Sequence, residues 1–357
     1  MSDRIKRVLI LGAGFMGSAI TFPISDSGKS VALWGTWLDD NIIDRCKKGQ
    51  KHSKLKKILN KDVDFFFSND MRKALIDADI IVIAVSSEGF IPVFEKLLTQ
   101  LEGNIPIVTL TKGFVNFKGK VLRISDYAEY KFREKFGIDK PFYWGSVGGP
   151  VKAVELSRYI PTATIIGSRY VSVLNIFKSF ETGYYRVSTT NDTVGVEVSS
   201  ALKNVYAIAI SICDGVYHNS KDSPLKDQYH NFKSALFMQS IEEMAYACGL
   251  LGGRMETAYK LAGTGDLYVT VASGRNSFYG RRLGMGENAK LAYNEMLEED
   301  KLVEGYNSLK LAKKLFNMYS IDFESQMPLF NTLYDIVFIS KKYNGQLEDL
   351  MKKLHIK

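Results

Sequence analysis

The chain has 357 residues, 46% of them hydrophobic and 24% charged, with a formal net charge of +8. That length exceeds one ordinary core and fits two domains, and the composition excludes a disordered or low-complexity chain. No apolar run approaches the roughly 20 residues that cross a bilayer, and the opening MSDRIKRVLILGAG lacks the long apolar region of a signal peptide, so the expected location is the cytoplasm. Three cysteines and four histidines show neither disulfide nor metal-ligand spacing, and no metal is expected.

In chain order, IKRVLIL at 5–11 is a β-branched apolar run, GAGFMG follows at 12–17, then a helical stretch and a second strand, KSVALWG. Strand, glycine turn, helix and strand fit one βαβ unit. The segment RCKKGQKHSKLKKILNK at 45–61 is the densest basic patch and holds no acidic residue. It lacks interleaved aromatics, so a solvated lysine face is the better reading than a nucleic-acid site. The positive excess of the first half would also steer small anions. ADIIVIAVS and NIPIVTLTKG are nearly continuous apolar runs, as parallel strands buried on both faces require; FYWGSVGGP, PTATIIGS and GYYRVSTT complete the series. The alternation with helices predicts an α/β doubly wound sheet over 1–190. From DTVGVEVSSALKN onward the pattern is long helices, which predicts an all-helical second domain over 191–357.

The glycine turn carries the first chemical signal. Gly12 permits a tight turn, Gly14 lets backbone approach a pyrophosphate, and Gly17 lets helix and strand pack closely. The helix N-terminus behind them favours an anion. After a strand and before a helix, this spacing predicts dinucleotide binding. The second strand ends in Trp34, Gly35 and Thr36, with Asp39 and Asp40 a little late for the ribose-binding acid. The lack of an arginine there favours NAD, with Asp39 in reach; Lys47 and Lys48 leave NADP open.

Lys203 precedes a long apolar helical run. Residues three and four away include the small Ser199, Ser200 and Ala207, which leave room for a ligand. Desolvation would lower its pKa and make it a general base; alone, it reads better as a lysine that snorkels to water. Downstream, Gly263 and Gly265 flank a turn before Asp266, and Gly274 precedes Arg275 and Asn276. An arginine fork suits a phosphate. Lys112 and the GGP at 148–150 follow strand ends, where ligands bind in open α/β sheets.

GAGFMG, TKG, GGPVKAVE, GVEVSSALKN, AGTGDL, GRN and VEG occur in one order across nearly the whole chain. Together they resemble the NAD(P)-dependent glycerol-3-phosphate dehydrogenases of bacterial type. The resemblance implies an N-terminal Rossmann domain, a helical C-terminal substrate domain and an active site between them. It implies reversible hydride transfer between the nicotinamide and dihydroxyacetone phosphate or glycerol 3-phosphate, supplying phospholipid synthesis. By resemblance Lys203, Lys112 and Asp266 are catalytic. Gly12, Gly14, Phe15, Met16, Gly17, Lys112, Ala153, Arg275 and Glu304 bind cofactor. Lys112, Gly149, Lys203, Asp266, Arg275 and Asn276 bind substrate, and a homodimer is one expected assembly. The chain departs from the family pattern at Gly274 (often Ser), at Val151 and Lys152 (Ser/Thr and aromatic positions), and at Thr36 (often Arg). These bear on substrate contacts and nucleotide preference. The competing readings are a two-domain dehydrogenase of hydroxy acids or sugar acids, and a sensor that binds NAD(H) without turnover.

Overall fold

The computed structural model describes residues 5–219 and 229–353. The chain divides into two compact units, Met1–Val115 with Leu122–Glu197, and Asn116–Val121 with Val198–Lys357. The division falls inside the helix Thr193–Asn219, a little past Thr190, because this helix begins within the first unit.

The first unit is built on β1 (Arg7–Leu11), β2 (Ser30–Trp34), β3 (Val63–Phe66), β4 (Ile80–Ile83) and β5 (Ile107–Thr109). A hairpin of β6 (Phe114–Phe117) and β7 (Lys120–Arg123) follows, its tip Asn116–Val121 belonging to the second unit, then β8 (Trp144–Gly148), β9 (Thr162–Gly167) and β10 (Tyr185–Thr190). Eight strands form one sheet in the order β10-β9-β8-β5-β4-β1-β2-β3. From β3 across to β8 every pair is parallel. β9 runs antiparallel to β8, and β10 is parallel to β9. The link between β8 and β9 carries only a five-residue helix, Ala153–Ser157. The central strands are apolar without alternation, and all of β4 is buried, as a sheet covered on both faces demands. The chain leaves β1 toward β2 on one side and returns to β4 on the other. This reversal opens a crevice at the carboxyl ends of β1 and β4.

The second unit is helical. Its main helices are the part of Thr193–Asn219 after Glu197, His230–Leu250, Asp266–Ala272, Arg275–Gly284, Ala289–Glu298, Glu304–Phe316 and Pro328–Tyr334. Here one sequence expectation is corrected. The stretch Thr193–His218 is long and apolar enough to cross a bilayer, but its apolar window is wholly buried within the fold. Single polar residues such as Lys203 interrupt the run without lowering its average enough. Glycines set how closely this helix is packed. A Cβ on Gly280 would overlap the Ile208 carbonyl oxygen, one on Gly284 that of Ile212, and one on Gly305 that of Asn204. The helices that start with Arg275 and Glu304 therefore lie backbone against backbone on the helix that carries Lys203.

Buried polar residues fasten each unit. In the first, Glu197 accepts from Ser125 Oγ and Ser146 Oγ, both at 2.6 Å, and burial raises its carboxyl pKa. In the second, Glu243 accepts from Tyr206 Oη at 2.9 Å, Gln239 Nε2 at 2.9 Å, Leu329 N at 2.7 Å and Phe330 N at 2.8 Å. The last two are orphan donors of the helix that begins at Pro328, so this carboxylate caps it from another helix. Cys46, Cys213 and Cys248 are buried free thiols.

Candidate active site

In the first unit the three glycines of the loop differ in what surrounds them. Gly12 adopts φ +111°, and a Cβ there would sit 2.7 Å from the Ala84 carbonyl oxygen. A Cβ on Gly17 would overlap the Gly12 carbonyl oxygen, whereas one on Gly14 would meet nothing within 4 Å. Gly14 is also the N-cap of the helix Phe15–Asp26, whose first turn has neither a side-chain cap nor an acidic residue. Bare N–H donors beside open space suit a pyrophosphate. Phe15 is exposed at the loop mouth, and Met16 is half-buried against the core.

Other expected residues lie along the same carboxyl edge of the sheet. Lys112 follows β5 and is half-buried. Its neighbour Thr111 donates from Oγ1 to the Val85 carbonyl at 2.9 Å, tying the loop after β5 to that after β4. Gly149 follows β8 at φ +115°, and Ala153, itself buried, opens the helix Ala153–Ser157. Lys152 pairs with Glu155 at 3.7 Å. At the end of β2 the structure redirects Asp39. Its Oδ2 accepts from Thr36 Oγ1 at 2.8 Å, Thr36 N at 3.1 Å and Ala13 N at 3.3 Å. The side chain expected to reach a ribose thus braces two loops.

In the second unit Lys203, Asp266, Arg275, Asn276 and Glu304 come together. Lys203 does not snorkel. It is 7% exposed, and its Nζ donates to Asp266 Oδ1 at 2.9 Å and Thr270 Oγ1 at 2.7 Å. Thr270 in turn donates to the Asp266 carbonyl at 2.6 Å, which points its oxygen lone pairs at the ammonium. Asp266 lies in the first turn of the helix Asp266–Ala272, where a negative charge is favoured; a π-helical turn, Leu261–Gly265, leads into it. The small frame around Lys203 is incomplete, since Tyr206 three residues on is fully buried and bonds Glu243.

A second chain of bonds adjoins this pair. Asn276 Nδ2 donates to Asn204 Oδ1 at 2.9 Å, Asn204 Nδ2 donates to Glu304 Oε2 at 3.1 Å, and Gly305 N donates to Asn276 Oδ1 at 2.9 Å. Arg275 Nη2 reaches Glu304 Oε1 at 3.5 Å, with the guanidinium half exposed. Gly274 precedes it at φ +149°, a conformation that L side chains rarely adopt. The serine often found there would be strained in this backbone. Sequence reasoning missed Thr270 and Asn204. Thr270 was legible as the residue one turn beyond Asp266, and Asn204 as the polar neighbour of Lys203 at the edge of an apolar run.

A glycine loop on a parallel sheet and a buried lysine–carboxylate pair on helices are both features of nicotinamide-dependent dehydrogenases of two-domain build. Comparison with known proteins narrows the class. Residues 7–173 match the N-terminus, and residues 192–348 the C-terminus, of NAD-dependent glycerol-3-phosphate dehydrogenase, and the chain belongs to this family. It is 35% identical over 334 residues, 92% of this chain and 95% of the relative, to an NADP(+)-dependent glycerol-3-phosphate dehydrogenase of Archaeoglobus fulgidus. It is 28% identical to a glycerol-3-phosphate dehydrogenase [NAD(P)+] of Bacillus velezensis, covering 98% of this chain and 95% of that one. The fold matches a crystal structure of glycerol-3-phosphate dehydrogenase from Coxiella burnetii with TM-score 0.82 at 23% identity, over 98% of this chain and 99% of that one.

Proposed function

We propose that the chain is an NAD(P)-dependent sn-glycerol-3-phosphate dehydrogenase that interconverts dihydroxyacetone phosphate and glycerol 3-phosphate. The observation that carries this reading is the buried Lys203–Asp266–Thr270 constellation, since a protein that only senses NAD(H) needs no such proton-transfer group. The open face at Gly14 and the uncapped helix N-terminus fit a dinucleotide. The nicotinamide, when bound, takes or gives the hydride.

The residues of the chain supply the rest. Lys203 gives a proton to the oxygen on C2 as the ketone is reduced and takes it back as the alcohol is oxidised. Such general acid–base help is worth about 10²–10⁴-fold. Asp266 and Thr270 aim Nζ and balance its charge. Arg275, with Asn276 beside it, binds the substrate phosphate through paired donors. Glu304 holds both the Arg275 guanidinium and Asn204. Lys112 contacts cofactor and substrate, Gly149 contacts substrate, and Ala153 contacts cofactor. A phosphorylated substrate and a charged cofactor, neither of which crosses a bilayer unaided, support a cytoplasmic site of action.

The test is direct. Mixing the protein with dihydroxyacetone phosphate and NADH or NADPH should consume the reduced nicotinamide, followed by absorbance. Turnover of 2-oxo acids in place of dihydroxyacetone phosphate, or no oxidation with either cofactor, overturns the assignment.

A further inference from the structure

We propose that Ser277 is a positioning residue that sets the span between the proton-transfer corner and the phosphate corner of the site, and with it the length of substrate that profits from both. This rests on the reading above of Lys203 as the proton carrier and of Arg275 with Asn276 as the phosphate ligands. The two corners stand on consecutive helices. Asp266 and Thr270, which receive Lys203 Nζ at 2.9 Å and 2.7 Å, belong to Asp266–Ala272, and Arg275 and Asn276 open Arg275–Gly284. Between the helices lie Ser273 and Gly274, both exposed, the first extended at φ −170° and ψ 144°, the second at φ +149°. Each such residue brings two soft dihedrals, so the link alone does not fix how far apart the corners stand.

Ser277 closes that gap. It is 4% exposed, and its Oγ donates to the Thr270 carbonyl at 2.5 Å. Thr270 lies in the last turn of a seven-residue helix, where carbonyls have run past the helix's own N–H donors. Its three bonds therefore do three jobs: Oγ1 accepts from Lys203, the same hydroxyl donates to the Asp266 carbonyl, and the Thr270 carbonyl accepts from Ser277. The last of these runs from the third residue of the phosphate helix to the backbone of the residue that aims the lysine. One side-chain torsion places a serine oxygen, so the bond holds the two backbones at a nearly fixed separation.

The other ties of the phosphate helix lead elsewhere. Gly280 and Gly284 lay its second and third turns on the helix that carries Lys203, and Asn276 bonds Asn204 on that helix. Ser277 acts in the first turn, beside Arg275, and it reaches the helix of Asp266 and Thr270. In dihydroxyacetone phosphate the C2 oxygen and the phosphate are a fixed run of bonds apart. Binding the phosphate helps the reaction only if its ligands stand at the matching distance from Nζ, and a misplacement of about 1 Å can cost about 10²-fold.

The test compares the wild type with Ser277→Ala on two ketones at saturating reduced cofactor: dihydroxyacetone phosphate, and dihydroxyacetone, the same ketone without the phosphate, assayed at raised enzyme concentration. The alanine leaves the Thr270 hydroxyl on Lys203 and on the Asp266 carbonyl, so the lysine corner keeps its bonds. For dihydroxyacetone phosphate kcat/KM should fall about tenfold to a hundredfold. For dihydroxyacetone, which does not span the two corners, it should hold at the wild-type value, and the affinity for NADH or NADPH, read by nicotinamide fluorescence, should not change. Wild-type kcat/KM on dihydroxyacetone phosphate in the variant overturns the proposal. So does an equal loss on both ketones, since a general disturbance of the fold or of Lys203 does not discriminate between them. If the wild type reduces dihydroxyacetone phosphate with neither cofactor, the dehydrogenase reading itself falls and takes this assignment with it.

Discussion

Replacing Lys203 with methionine separates what the lysine does for the reaction from what it does for the fold. Its Nζ sits 2.9 Å from Asp266 Oδ1, and the two side chains are 9% and 3% exposed. Removing one partner of a buried ion pair costs about 3–5 kcal/mol. Thr270 adds little to that cost, since its hydroxyl keeps its bond to the Asp266 carbonyl. Lys203→Met should therefore lower unfolding stability by about 3–5 kcal/mol in a urea titration followed by circular dichroism. Adding Asp266→Leu should restore most of it, because an apolar pair of similar volume avoids both desolvation penalties. Turnover should stay at least about 10²-fold down in both proteins. Near wild-type turnover in Lys203→Met would refute its role as the proton carrier. A double variant no more stable than the single one would refute the view that Asp266 is held by this charge.

Two glycines only three residues apart, Gly14 and Gly17, should separate just as cleanly. Gly14→Ala places its methyl in open space, so the melting temperature should hold while the KM for cofactor rises about tenfold or more; Gly17→Ala collides with the Gly12 carbonyl and should cost about 1–3 kcal/mol. Equal loss of stability in the two would contradict the reading of Gly14 as the cofactor's point of approach. Burial pushes Glu243 up to about 7 from its usual 4.5. Between those values the folded protein holds more protons than the unfolded chain, so the stability from this group is full below 4.5 and is lost as pH rises through 7. Glu243→Gln should flatten that slope and cost about 1–3 kcal/mol, since an amide nitrogen now faces donors. An unchanged slope of unfolding free energy against pH would exclude this carboxyl as its source.

What could be read in advance follows a physical pattern. Strands buried on both faces announce themselves as apolar runs, and VLIL, IIVI and ATIIG sit where their composition predicts. β3 is harder because Asp64 and a half-buried face break its run. The hairpin of β6 and β7 turns at Lys118 and Gly119, with φ +50° and +83°. Asparagine before the glycine is the usual sign of such a turn, and a lysine there hid it. The candidate site residues could be named one by one in the sequence, but the network that joins them could not. Asp266 lies 63 positions from Lys203, and Ser146 lies 51 from Glu197. No periodicity reports partners at that distance. The basic run at 45–61 misled in another way: composition shows its charge but not that His52 turns inward and fixes the segment under the glycine loop.

The positions without side chains explain why the polar network holds its shape. Gly280 and Gly284 let the helix that begins at Arg275 lie directly on the carbonyls of Ile208 and Ile212, and Gly305 lets the helix that begins at Glu304 lie on that of Asn204. Both helix starts are then fixed relative to the backbone just after Lys203 by main-chain contact, which has no rotamers to vary. Asn276 joins them, donating to Asn204 and accepting from Gly305 N. Arg275 is the one member of the group left half exposed, directed by Gly274 behind it and restrained by Glu304 beside it. A guanidinium held that way loses little freedom when a phosphate arrives. The glycine at 274, which departs from the serine often found there, trades a hydroxyl for a backbone path, φ +149°, that serine would enter only under strain. In the proposed reading, recognition of the substrate phosphate at this corner rests on the placement of Arg275 rather than on the number of donors around it.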